Sequence, residues 1–244
     1  MLRPFWALAL AIAFIVSQGV GHAQSWTFDA DALFLKLGTS VGTADEDVFD
    51  YETGSRLAIS RLGASDVGFR TTWFQWDHAA TDSAVGFIEL ETYNLDFEIF
   101  KRLDLSNRTT LELSGGVRYN ETDYIYDGAP NDFNGVGGLV GLRGGLQVLE
   151  NGVLYARSKF AVLMGDGAHD GDDEDLDPAF DVIRSQTEIS LGYEHRFTMG
   201  NLVIVPRSGV EWQNWEGFGI DPVDEHPDNA LGLFGFVGGV SVTY

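Results

Sequence analysis

The closing stretch Phe234-Gly235-Phe236-Val237-Gly238-Gly239-Val240-Ser241-Val242-Thr243-Tyr244 decides the fold. Side chains on a strand alternate between two faces. Phe234, Phe236, Val240, Val242 and Tyr244 therefore form one apolar face, and Gly235, Gly239, Ser241 and Thr243 form a small or polar one. An apolar face that ends on an aromatic terminus predicts the last strand of a membrane β-barrel. A soluble sheet carries the same alternation, so the rest of the chain must discriminate.

At the other end, Arg3 precedes an apolar run from Phe5 to Val16, followed by Gly21-His22-Ala23. A charged start, a short apolar run and small residues at the cleavage positions predict a secretory signal peptide over 1–23, with the mature domain over 24–244. The run is about a dozen residues long, whereas a spanning helix needs roughly twenty. If the mature chain lies in a membrane, it does so as strands. The sequence holds no cysteine. Disulfides, thiolate nucleophiles, sulfur metal sites and a lipidated cysteine anchor are excluded together. A formal net charge of -22 excludes nucleic acid as a partner, because phosphate binding needs a basic face.

Period-two runs fall near 25–37, 55–62, 66–78, 85–100, 108–120, 134–149, 152–164, 181–198, 201–215 and 230–244. The expectation is an all-β, transmembrane, antiparallel up-and-down β-barrel of about ten strands, with eight or twelve as alternatives. Short connections (63–65, 101–107, 150–151, 199–200) alternate with longer ones (38–54, 79–84, 121–133, 165–180, 216–229). That alternation matches the short periplasmic turns and longer outer loops of a membrane barrel. The longer connections contain no Lys or Arg and concentrate the acids, so one rim is expected to be strongly negative.

Apolar residues of each strand should face lipid and polar ones the lumen, because a basic residue against hydrocarbon at the midplane costs roughly 2–4 kcal/mol. This phasing assigns Asp96, Glu98, Glu112, Arg118, Arg143, Arg157, Lys159, Arg184, Glu188, Glu194, Arg196, Arg207 and Glu211 to the lumen. Glu188 with Arg184, and Glu211 with Arg207, are expected to form salt-bridge ladders. Tyr93, Tyr119, Tyr155, Tyr193, Trp212, Trp215 and Trp73-Phe74-Gln75-Trp76 are expected in interfacial aromatic girdles. Ile88 and Leu90 break phase with Tyr93, Leu95, Phe97 and Ile99, which predicts a β-bulge near Glu91-Thr92. Pro206 should stand at an irregular point of its strand.

With signal, strands and aromatic terminus assembled, the chain resembles Gram-negative outer-membrane β-barrels. Ala30-Asp31-Ala32-Leu33-Phe34-Leu35, Gly192-Tyr193-Glu194 and Gly209-Val210-Glu211-Trp212-Gln213-Asn214-Trp215 resemble the Legionella-type pore-forming outer-membrane proteins and related barrels of planctomycetes. The resemblance implies residence in the outer membrane among lipid and lipopolysaccharide. It also implies that the barrel-assembly machinery reads the last strand, with Phe236, Val240, Val242 and Tyr244 as the assembly signal.

No cofactor is expected beyond a weakly bound calcium ion on Asp166, Asp170, Asp172, Asp173 and Asp175, whose spacing departs from the EF-hand pattern. The simpler reading of that run is a solvated outer loop. Some outer-membrane barrels are proteases with acidic and His groups at the rim, and His78, Asp77, Asp82, His169 and His226 are the candidates here. No Gly-x-Ser-x-Gly motif accompanies them, and the expectation is that the protein is not an enzyme. His195 falls on the lipid-facing parity near the periplasmic end. Function is expected to be that of a small porin-like passive channel for small solutes, made cation-preferring by its acidic rim. The alternative is a non-conducting structural or surface-interaction barrel. Nothing in the sequence signals an oligomeric state.

Overall fold

Alternating runs become strands in the computed structural model, which describes residues 25–39, 50–82, 86–126, 129–169, 179–217 and 230–244. The strands are β1 (Ser25–Thr39), β2 (Glu52–Leu62), β3 (Val67–Asp82), β4 (Gly86–Ser106), β5 (Thr109–Tyr126), β6 (Ala129–Gln147), β7 (Gly152–His169), β8 (Ala179–His195), β9 (Phe197–Met199), β10 (Leu202–Glu216) and β11 (Ala230–Thr243). Arg196 interrupts β8, and the three-residue β9 continues the same stave. The result is a closed antiparallel barrel of ten staves. The expected signal peptide lies outside the described residues.

Closure runs through the stretch that opened the sequence reading. β11 pairs with β10 on one side and with β1 on the other, in register from Thr27 opposite Thr243 to Thr39 opposite Leu231. Trp26 and Tyr244 exchange backbone hydrogen bonds of 3.1 and 3.0 Å at the seam. A closed sheet leaves no row of unpaired backbone groups to attract another chain.

Both ends of the described chain and the short connections lie at one end, here the turn end; the other is the loop end. At the loop end the strands run further than their sequence pattern. β5 and β6 stay paired up to Tyr126 opposite Ala129, and β3 and β4 up to Asp82 opposite Gly86. The expected connections 121–133 and 79–84 are therefore largely ladder. Backbone groups satisfied across a hairpin need no apolar face to keep the strands together.

The outer surface is apolar around the middle of the barrel, with Phe97, Ile99, Val117, Val136, Val140, Phe160, Met164, Ile183, Leu191, Phe234 and Phe236 exposed. A contiguous exposed apolar belt is what a barrel presents to hydrocarbon. Aromatic pairs edge the belt: Tyr93 with Tyr119 toward the loop end, centroids 5.6 Å apart, and Trp26 with Phe69 at the turn end, 5.7 Å apart. Beyond Tyr93 a row of outward-facing acids crosses four strands. Asp77 stands opposite Glu91, Glu91 opposite Asp123, and Asp123 opposite Asp132.

Two irregularities differ in placement from the pattern. No bulge occurs at Glu91-Thr92; β4 pairs without a slip until Asp104, and the register shifts there, with Leu105 extruded. Leu90 shares the inward face of Thr92, Asn94, Asp96 and Glu98, so β4 never changes phase. Pro206 does lie beside an irregularity. β9 pairs with Leu202–Ile204 and β8 resumes at Arg207, so the residue without an N–H falls at the Arg196 break.

Candidate functional site

The barrel interior has two layers. The loop-end layer is apolar: Leu33, Leu35 and Leu37 of β1, Phe74 and Trp76 of β3, Leu90, Phe133, Leu163, Trp215, Leu231 and Leu233 interlock there. Glycines make room for these rings: a Cβ on Gly135 would overlap the Phe133 ring, and one on Gly54 would come 2.9 Å from the Trp76 ring. Phe74, Trp76 and Trp215 were expected in the girdles and are instead buried inside, as is Tyr155 in the other layer. An aromatic side chain satisfies a packed interior as well as a membrane interface.

The layer toward the turn end is ionic. Arg118 on β5 grips Asp96 through Nε and Nη2 at 2.6 and 2.8 Å, and its Nη2 lies 2.6 Å from Glu188 on β8. Lys159 on β7 holds Asp96 at 2.8 Å and Glu98 at 2.7 Å. Arg56 on β2 binds Glu211 on β10 in two-pronged fashion at 2.9 and 2.5 Å. Arg157 donates to the same Glu211 at 3.0 Å. Arg207 binds Asp31 at 2.6 Å and Asp29 at 2.9 Å. A Cβ on Gly239 would overlap Oδ1 of Asp31, so that glycine leaves space for the last pair.

These bonds join strands that are not neighbours, β5 to β8 and β2 to β10, so the network crosses the lumen instead of following its wall. The expected ladders Glu188 with Arg184 and Glu211 with Arg207 do not form. Residues four apart on a strand stand about 13 Å apart, whereas the curved sheet brings other strands within contact. Arg184 instead lies over the Phe133 ring, 4.3 Å from its centroid, at the apolar layer.

Of the residues assigned to the lumen, Asp96, Glu98, Glu112, Arg118, Lys159, Glu188 and Glu211 are buried inside. Arg143, Arg157, Arg184, Glu194 and Arg207 share the inward parity and are partly buried. Arg196 is exposed at the strand break and, among the described residues, joins none of the interior ion pairs. Asp29, Asp31, Arg56 and Arg70 belong to the network and were not singled out. Asp29 and Asp31 share the parity of Leu33, Leu35 and Leu37, and that apolar run hides an inward face.

Within the ionic layer lies a cavity of about 40 Å³, lined by Asp29, Asp31, Arg56, Ala58, Arg70, Thr72, Arg143, Tyr155, Arg157, Lys159, Arg207 and Val237. The calcium candidates are not assembled in it. Asp166 is exposed at the loop end, and Asp170, Asp172, Asp173 and Asp175 lie outside the described residues. Among the described residues no group of three acidic or His side chains converges to hold a metal. His78 is buried inside, stacked on Trp76 at 5.6 Å, while Asp77 points outward. Adjacent strand residues on opposite faces cannot act as a dyad. His195 lies at the turn end with Nδ1 2.8 Å from the Tyr193 hydroxyl.

No family model and no curated protein matches the chain. Solved structures similar to it include the β domain of the Bordetella autotransporter BrkA (13% identity, 91% of this chain and 99% of that one, TM-score 0.49). Others are the translocator domain of autotransporter NalP from Neisseria meningitidis (13%, 98% and 95%, 0.47) and the outer membrane protease OmpT from Escherichia coli (11%, 92% and 98%, 0.46). At these scores the likenesses carry no argument about this chain, and the barrel rests on its own register. The resemblance to the Legionella-type family is not shown by these matches.

Proposed function

We propose that this protein is an outer-membrane β-barrel whose lumen is closed, acting as a structural or surface-interaction barrel with its turn end in the periplasm and its acidic connections outside. One observation supports the closed reading above others: two successive layers fill the interior, an apolar one and a cross-lumen ionic one. A narrow barrel whose interior is occupied by side chains leaves no continuous aqueous path. The apolar belt and its aromatic edges support residence in lipid, with lipopolysaccharide beside the outer acid row. Export by the signal peptide, and insertion through the barrel-assembly machinery reading Phe236, Val240, Val242 and Tyr244, belong to the same proposal.

The second reading, a small cation-preferring pore, is favoured by the acids of the longer connections, which would concentrate cations at a mouth. Against it, a cation on the way through would meet a cavity lined by more basic than acidic groups. Planar-bilayer recording of the purified, heat-modifiable protein separates the two. Silent membranes are expected; discrete cation-selective steps would replace the closed reading with the pore.

A further inference from the structure

We propose that the turn-end cavity is a binding site for a small oxyanion of the phosphate class, gripped by Arg143 and Arg157. The inference does not rest on whether the barrel conducts. Its starting point is register: Arg143 on β6 stands directly opposite Arg157 on β7, and both project inward. Like charges directly opposed on one face of a sheet are unfavourable unless something of opposite sign lies between them.

The protein's own carboxylates occupy only part of this pair: each guanidinium has one carboxylate contact, Arg143 to Glu194 and Arg157 to Glu211. Asp29 and Asp31, the two acids of the lining, are both held by Arg207. Glu211 is shared by Arg56 and Arg157 and also accepts from Gln213 and Ser190. Arg157 uses Nε on Ser190 and Nη2 on Glu211, and Arg143 uses Nη2 on Glu194. Among the described residues Nη1 of Arg157 and both Nε and Nη1 of Arg143 have no hydrogen-bond acceptor, and both guanidinium groups border the cavity. The Arg143 guanidinium also rests over the Tyr155 ring, 5.8 Å from its centroid, which fixes its plane.

Guanidinium groups with free, oriented donors match the oxygens of a phosphate. The cavity's 40 Å³ exceeds the roughly 10–15 Å³ that one water requires, and a tetrahedral oxyanion fits a space of a few waters. Access is from the turn end, where the Arg143 side chain is 35% exposed and that of Arg157 22%. Low-dielectric walls focus the field of the clustered cations onto that opening.

The test is calorimetry on the folded barrel in maltoside micelles at fixed chloride, with inorganic phosphate as titrant. Saturable one-site binding is expected, weakened at least tenfold in the Arg143→Gln, Arg157→Gln double variant and unchanged in Arg102→Gln, which alters an exposed turn-end arginine outside the cavity. Should the double variant lose heat-modifiable folding, Arg143→Gln alone, at a partly exposed position, is expected to weaken binding several-fold. Short-chain phosphatidylglycerol separates the sources. Competition with phosphate assigns the site to a lipid phosphodiester, and its absence assigns it to the free ion. No saturable heat in the folded protein, or heat unchanged in the folded arginine variants, overturns the proposal.

Discussion

The two halves of the interior solve the same packing problem with opposite chemistry. At the loop end, leucines, Phe133, Trp76 and Trp215 fill the barrel chiefly by shape, with His78 and Arg184 stacked on their rings. Toward the turn end, Arg56, Arg118 and Lys159 span the lumen to carboxylates on distant strands. Apolar packing tolerates exchange of similar volumes, whereas a buried ion pair is intolerant of losing one partner. The difference teaches that one half resists errors in charge and the other errors in size.

The largest effect should come from breaking the ionic half. Arg118→Met removes the two-pronged partner of Asp96, leaving it Lys159 alone, and the nearest counter-charge of Glu188, and a loss of about 3–5 kcal/mol in denaturant unfolding is expected. Adding Asp96→Asn and Glu188→Gln should recover most of it, because the cost lies in uncompensated charge. If the triple variant is no more stable than the single, packing and not charge governs that layer, and the contrast between the halves fails. Next in size, Leu163→Ala in the apolar half should cost about 3 kcal/mol through the cavity it leaves, with no recovery from altered charges nearby. Smaller again, Gly239→Ala must displace Asp31 from Arg207 and should cost about 1–3 kcal/mol. Gly238→Ala, whose added Cβ meets nothing within 4 Å, should change unfolding by less than about 0.5 kcal/mol. Equal losses at the two glycines would show that backbone geometry outweighs the Asp31–Arg207 pair.

Much of the barrel was legible because period two is a local property. The run from Phe234 to Tyr244 fixed its own two faces, and the inward parity of Asp96, Glu98, Arg118 and Glu188 followed from their apolar alternates. The same rule misled at Leu90, Phe74, Trp76, Trp215 and Tyr155. An apolar side chain suits hydrocarbon outside and a packed core inside equally well, so alternation names two faces without saying which is inward when both are apolar. The acids of the network were therefore easier to place than the leucines above them. The Arg184–Glu188 and Arg207–Glu211 pairings failed for a different reason: sequence proximity along a strand is not spatial proximity across a barrel.

What the sequence by itself determined is a chain of closely spaced amphipathic strands with an aromatic end, enough to predict an all-β barrel, since alternation acts over neighbouring residues; closure itself came from the pairing of β11 with β1. Which carboxylate meets which guanidinium, where the apolar plug sits, and that Arg143 stands beside Arg157 at the wall of a cavity were decided only by tertiary structure. Those contacts depend on register and closure, which bring β2 to β10 and β5 to β8, and no local pattern carries that curvature.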